Sequence, residues 1–189
     1  MKRCDWPANN KAMIEYHDKE WGTPLHNDRK FFEFLVLEGF QAGLSWNTIL
    51  NKRKNFEKAF HGFDPKEISK YTEKDFDRLM KDSGIVRNRL KIRSTIENAK
   101  VFLKIQKEFG SFDKYIWDFV NNKPIQNKFR KLSEIPAKTK ISDVMSKDLK
   151  ERGMNFVGST ICYAFMQATG LVNDHTVDCF RYKEVRRKK

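Results

Sequence analysis

What the sequence lacks narrows it first. It has only three cysteines in 189 residues. A small, odd number argues against a disulfide framework and for a reducing compartment. No stretch approaches the roughly 20 apolar residues of a membrane span. No apolar run follows the charges of "MKRCDWPANN", so a secretory signal is not expected and a cytoplasmic location is. Strand-type alternation is nearly absent, and there is no internal repeat or low-complexity tract. Acidic residues are scarce beside basic ones: 25 Asp and Glu face 38 Lys and Arg, a net charge of +13. That excess favours an anionic partner, most commonly nucleic acid, over a merely basic and soluble surface.

What remains is apolar enough to fold. Hydrophobic residues make up 39% of the chain, with sixteen Phe, enough for the core of one domain. The dominant period is helical. Asp28 can cap a helix that places Phe31, Phe32, Leu35 and Val36 on one face. The pattern continues through Trp46, Ile49, Leu50, Phe56 and Phe60. "FDPKEI" reads as an Asp cap followed by Pro at the first helical position, and Thr72 to Asp75 as a capping box. A long helix is expected from Arg87 to Phe109, ended by Gly110. Residues 121 to 141 are polar and aperiodic, and read as a surface connection. A helix capped by Ser142 and another ending at Gly170 follow. The closing "YKEVRRKK" reads as a frayed, charged tail. The class is all-α.

Three constellations could carry chemistry. His175 and Cys179 are four positions apart at the end of the chain, and Cys4 and His17 supply a second Cys/His pair at the start. Together they would form a Cys2His2 set suited to closed, structural zinc, although spacing alone also fits unliganded residues. Cys162 sits on an apolar face and reads as a small core residue. In "KERGMNFVGSTICYAF", Gly153 and Gly158 bracket a turn between two helices, and Ser159 opens the second. Such a turn brings backbone N–H groups and a positive helix end close to a phosphate; an ordinary glycine-linked helix pair fits as well. Trp6, Tyr16, Trp21 and Trp46, with Glu38, could stack a base and accept its hydrogen bonds, or could simply be core.

The strings "YHDKEWG", "QAGLSW" and "FVGSTICYAFMQATGLVNDH" are long and specific. With "MKRCDW" and "SGIVRNRLKI" they resemble the bacterial 3-methyladenine DNA glycosylase I family from about Met1 to Cys179. The resemblance implies a helix–hairpin–helix glycosylase fold, with one domain of two helical lobes over 1–180, the hairpin at about 143–170, and a basic tail at 181–189. It implies a monomer that flips 3-methyladenine out of double-stranded DNA and hydrolyses its glycosidic bond, leaving an abasic site. It implies one structural zinc ion on Cys4, His17, His175 and Cys179, joining both ends of the chain. It further implies that Glu38, Tyr16 and Trp46 recognise the base, with Glu38 as the catalytic carboxylate and Trp6 and Trp21 in the wall. Gly43 and Leu44 would fill the place the base vacates.

Two departures stand out. Met13 occupies a position where the family often has Tyr. Asn173 stands where related glycosylases keep an Asp, with Asp174 one place off, so no catalytic base is assigned. Alternatives are a non-enzymatic, zinc-clasped nucleic-acid binder and a glycosylase of altered specificity.

Overall fold

The computed structural model describes the backbone of residues 1–187. Ten α-helices lie among the described residues: α1 (Lys11–Lys19), α2 (Asp28–Gln41), α3 (Trp46–Ala59), α4 (Pro65–Ile68), α5 (Glu73–Lys81), α6 (Arg89–Phe109), α7 (Phe112–Asp118), α8 (Lys140–Glu151), α9 (Ser159–Ala168) and α10 (Phe180–Arg187). Two short strands, β1 (Ile125–Gln126) and β2 (Val172–Asn173), pair in parallel. The molecule is mostly helical, as the period implied.

The core is organised around α2. Every residue from Phe31 to Phe40 is buried, and the helix packs on α3, α6, α7 and α9. A helix surrounded on all sides has no polar face to keep, which explains the nearly continuous apolar run "FFEFLVLEGF". Its N-cap is Asn27, whose side chain accepts from Lys30 N–H at 3.0 Å. Asp28, expected in that role, turns instead to the N-terminus of α7. It accepts from the backbone of Phe112 and Asp113 at 2.8 and 2.9 Å and from Gln106 at 2.6 Å. Its carboxylate satisfies donors that α7 cannot pair internally. Likewise α8 is capped by Thr139, with Ser142 as the reciprocal partner of the box.

The 121–141 segment is more than a surface connection. Ile125 N–H bonds Leu171 C=O at 2.9 Å and Val177 N–H bonds Phe129 C=O at 2.9 Å, lacing the segment to the C-terminal end of the chain. The tail also departs from expectation, because α10 buries Arg181, Tyr182 and Val185 and Arg181 Nη2 donates to Thr23 at 2.6 Å. The three buried positions share one face of this charged helix, a pattern too short to stand out among the charges. Lys188 and Lys189 lie outside the described residues. No described helix is long and apolar enough to cross a membrane.

Val185 is 2% exposed, so Val185→Ala should cost about 1–3 kcal/mol, measured by denaturant unfolding. A frayed tail would give no change.

Candidate active site

A cavity of about 470 Å3 opens between α1, α2 and the start of α3 on one side and α9 on the other. Trp6, Tyr16, Trp21, Glu38 and Trp46 all line it, together with Met13 and Gln41. Sequence reasoning missed the opposite wall. Leu132, Ile135, Pro136 and Ala137 come from the 121–141 segment, and Thr160, Tyr163, Ala164 and Gln167 from α9. Those α9 positions are spaced i, i+3, i+4, i+7, the signature of a single helix face, and its polar members were the available signal.

Glu38 sits on the most buried helix at 4% exposure. Burial raises its pKa to about 8, with no charge or hydrogen bond opposing the shift. The neighbouring carboxylates are treated differently. Arg53 of α3 donates to Glu33 at 2.6 Å and to both Glu20 oxygens at 2.8 Å, tying α1, α2 and α3 together and neutralising both acids. Tyr16 is 3% exposed, and burial, then the Glu38 charge, raises its pKa further. The indole N–H groups of Trp6 and Trp46 are buried without a partner among the described residues. The cavity is therefore aromatic, contains one acid without a cation, and has hydrogen-bonding capacity unspent.

Behind the aromatic wall lies a group that could hold a metal ion. One donor atom from each of Cys4, His17, His175 and Cys179 lies within 4.8 Å of the others, and all four residues are buried. The outward ring nitrogens are held in place: His17 Nδ1 pairs with Asp18 at 2.8 Å and His175 Nε2 with Trp21 C=O at 3.0 Å. Asp18 is gripped in turn by Arg3 at 2.8 Å. Hydrogen bonds from Cys4, then those from His17 and His175, hold the Cys179 thiol pKa low; the Cys4 thiol is correspondingly raised. A thiolate next to two oriented imidazoles is a metal-binding donor set. The group is continuous with the cavity, since Trp6 packs edge-on against His17 at 5.4 Å and Trp21 against His175 at 4.7 Å.

The remaining candidates lie at two turns. Ala42 (φ −49°, ψ 118°) and Gly43 (φ +76°) form a type II turn closed by Leu44 N–H to Gln41 C=O at 2.7 Å, which leaves Leu44 exposed. That turn demands a positive φ at its third residue, hence Gly43. In the second turn, Gly153 N–H bonds Lys150 C=O and Met154 N–H bonds Leu149 C=O, both at 2.9 Å. These two bonds end α8 as a Schellman motif. Gly158 is the N-cap of α9 and makes no side-chain cap, with open space where a Cβ would point. The Ser159 hydroxyl donates to Asp143 rather than capping α9.

Neither Asn173 nor Asp174 lines the cavity. Asn173 bonds Gln126 at 2.9 Å and Tyr182 C=O at 3.1 Å. Asp174 accepts from Tyr163 at 2.6 Å, Gln167 at 2.8 Å and Asn127 at 2.6 Å. It supports two wall residues from behind.

A family model described as methyladenine glycosylase matches residues 6–182. The chain is 50% identical over 177 residues to the DNA-3-methyladenine glycosylase of Haemophilus influenzae, covering 94% of this chain and 96% of the relative. It is 49% identical over 182 residues to DNA-3-methyladenine glycosylase 1 of Escherichia coli, covering 96% and 97%. A crystal structure of a tyrosine-to-phenylalanine variant of 3-methyladenine DNA glycosylase I, in complex with 3-methyladenine, is 36% identical. It superposes with a TM-score of 0.92 over 95% of this chain and 97% of that one.

The buried acid has a pH signature. Unfolded Glu38 loses its proton near the ordinary 4.5, and the folded residue holds it to about 8. Across that window the native state binds more protons, so its stability falls as pH rises. Glu38→Gln removes the effect. The variant should gain on the parent by about 3–5 kcal/mol between pH 4.5 and 8, read from denaturant unfolding at several pH values. A constant difference across that window would contradict the burial argument.

Proposed function

The chain belongs to the methyladenine glycosylase family and is a DNA-3-methyladenine glycosylase, a hydrolase of N-glycosyl bonds; on that premise we propose that it flips 3-methyladenine out of double-stranded DNA into the cavity and leaves an abasic site. The observation that carries this reading is an aromatic cavity holding a single buried acid with no cation beside it. Aromatic faces attract a flipped, cationic base by stacking and by cation–π interaction. The arriving cation supplies the partner that Glu38 lacks, so Glu38 releases its proton to solvent and its carboxylate accepts from the base's N–H groups. Met13 contributes an apolar patch to the same wall.

The proposed roles divide between binding and bond cleavage. In DNA the lesion carries a positive charge that is relieved when the bond breaks, so the leaving group is already activated. An acid that stabilises the bound cation favours recognition more than the chemical step. Glu38 thus selects the lesion, while Tyr16, Trp46, Trp6 and Trp21 hold it against water. With Asn173 and Asp174 committed behind the wall, no side chain is assigned as base for the attacking water.

The metal group fits structural zinc. Tetrahedral zinc with Zn–S of about 2.3 Å and Zn–N of about 2.1 Å has S···N edges of roughly 3.6 Å. The S···N separations from Cys4 to His175 and from Cys179 to His17 and His175 are 3.6, 3.5 and 3.6 Å. Four protein ligands leave no position for water, so zinc would hold the chain ends together and do no chemistry.

Leu44, on its Gly43 turn, is read as the wedge that replaces the flipped base. Gly153, Gly158 and the Ser159 N–H are read as the phosphate grip of a helix–hairpin–helix spanning about 143–170, within one domain over 1–180. The protein is read as a cytoplasmic monomer.

Incubation with methylated duplex DNA, followed by chromatography of the released bases, tests the activity. Free 3-methyladenine is expected, and its absence would refute the reading. Metal analysis should find one zinc per chain, and Cys179→Ala should lower the melting temperature and weaken binding of free 3-methyladenine together. A metal-free protein of unchanged stability would refute the zinc assignment.

A further inference from the structure

Lys91 is misplaced for its own helix. It sits in the first turn of α6, where a positive charge opposes the helix dipole, and it is only 7% exposed. Its ammonium is spent on another element. Nζ donates to Phe40 C=O at 2.8 Å and Ala42 C=O at 2.5 Å, carbonyls that the C-terminus of α2 leaves unpaired. The Ala42 oxygen belongs to the middle peptide of the turn that carries Leu44. Type I and type II turns differ by reversal of that peptide. The Leu44 N–H to Gln41 bond is common to both forms, and nothing lies within 4 Å of where a Gly43 Cβ would be. Gly43 permits the type II form, and the Lys91 bond to the Ala42 oxygen favours it over the reversed peptide.

The same ammonium lies 5.9 Å from the centre of the Phe156 ring, in the turn between α8 and α9. Phe156 has φ +56°, a strained value for a bulky residue. It lies close against α2, where a Cβ on Gly39 would come 3.5 Å from its own Cβ. The preceding Asn155 is clamped by Asn98 of α6, which accepts from its N–H at 2.8 Å and donates to its C=O at 2.9 Å. One seam thus joins the Leu44 turn, α6 and the glycine-bracketed turn.

We propose that Lys91 is a positioning residue that fixes the Leu44 wedge turn relative to the phosphate-gripping hairpin, so that both meet the duplex as one preformed surface. This rests on the reading of Leu44 and the hairpin as DNA contacts. Lys91 touches no base. Its effect reaches binding through the orientation of the Ala42–Gly43 peptide and the seat of Phe156.

A double-mutant cycle between Lys91→Met and Leu44→Ala tests this, using the zinc-loaded full chain. Affinity is read for a duplex carrying an abasic-site analogue and, separately, for free 3-methyladenine by tryptophan fluorescence. Lys91→Met should weaken duplex binding by about tenfold to a hundredfold, the range for hydrogen bonds to a charged group. It should leave free-base affinity within about twofold, since the cavity does not include Lys91. In the Leu44→Ala background the same change should cost much less, because the wedge it positions is gone. Full additivity, parental duplex binding by Lys91→Met, or an equal loss of free-base binding would overturn the proposal. Leu44→Ala with parental duplex binding would instead refute the wedge itself, and it is recognised in the single variant. If Lys91→Met does not fold, Phe156→Leu reads the same seam from the hairpin side. It should give a smaller loss that is likewise non-additive with Leu44→Ala, and additivity there would equally count against the proposal.

Discussion

The structure depends on keeping one carboxyl group out of water without giving it a cation. An acid in that state is costly wherever it must ionise, and the fold around Glu38 is arranged to hold it so. It lies on a helix packed against four others and is only 4% exposed, at the wall of the cavity. The nearby acids Glu20 and Glu33 are paired with Arg53, so Glu38 alone stays unmatched. An acid held neutral in this way responds strongly to a positive charge delivered next to it and weakly to a neutral base. In the proposed function, that difference is what tells a cationic lesion from ordinary adenine before any bond is broken.

The four Cys and His residues matter for the same reason. Tyr16 and His17 are neighbours on one turn of α1; the first lines the cavity and the second faces the metal group. Trp21 lines the cavity, while its backbone carbonyl holds His175. Stability at the joined chain ends and order in the aromatic wall are thus carried by the same residues. Loss of one would loosen the other.

Much of this was legible in the sequence wherever a residue's neighbours lie close along the chain. The capping box at Thr72, the left-handed Gly110 at the end of α6 and the helical class all follow from local rules. The cavity's five named residues were legible through family-like strings, and the structure brings them together. What failed was long-range. Asp28 looked like the cap of its own helix and serves α7, more than eighty residues on. The 121–141 segment looked featureless because its order comes from lacing to residues 171 to 177 rather than from its own period. The tail looked frayed because three buried positions are hidden among charges. The protonation of Glu38 was not legible at all. The sequence offers a glutamate, and only its depth and the pairing of its neighbours make it an acid with a pKa of about 8.

Carbon-13 NMR of the Glu38 carboxyl, followed against pH with and without 3,9-dimethyladenine, a small cation that carries the lesion's charge because its glycosidic nitrogen is still substituted, tests the central claim most directly. The account predicts a titration near 8 in the free protein and a carboxylate signal, with proton release, once the cationic base is bound. A free-protein titration at the ordinary value near 4.5, or a carboxyl that stays protonated in the complex, would contradict it.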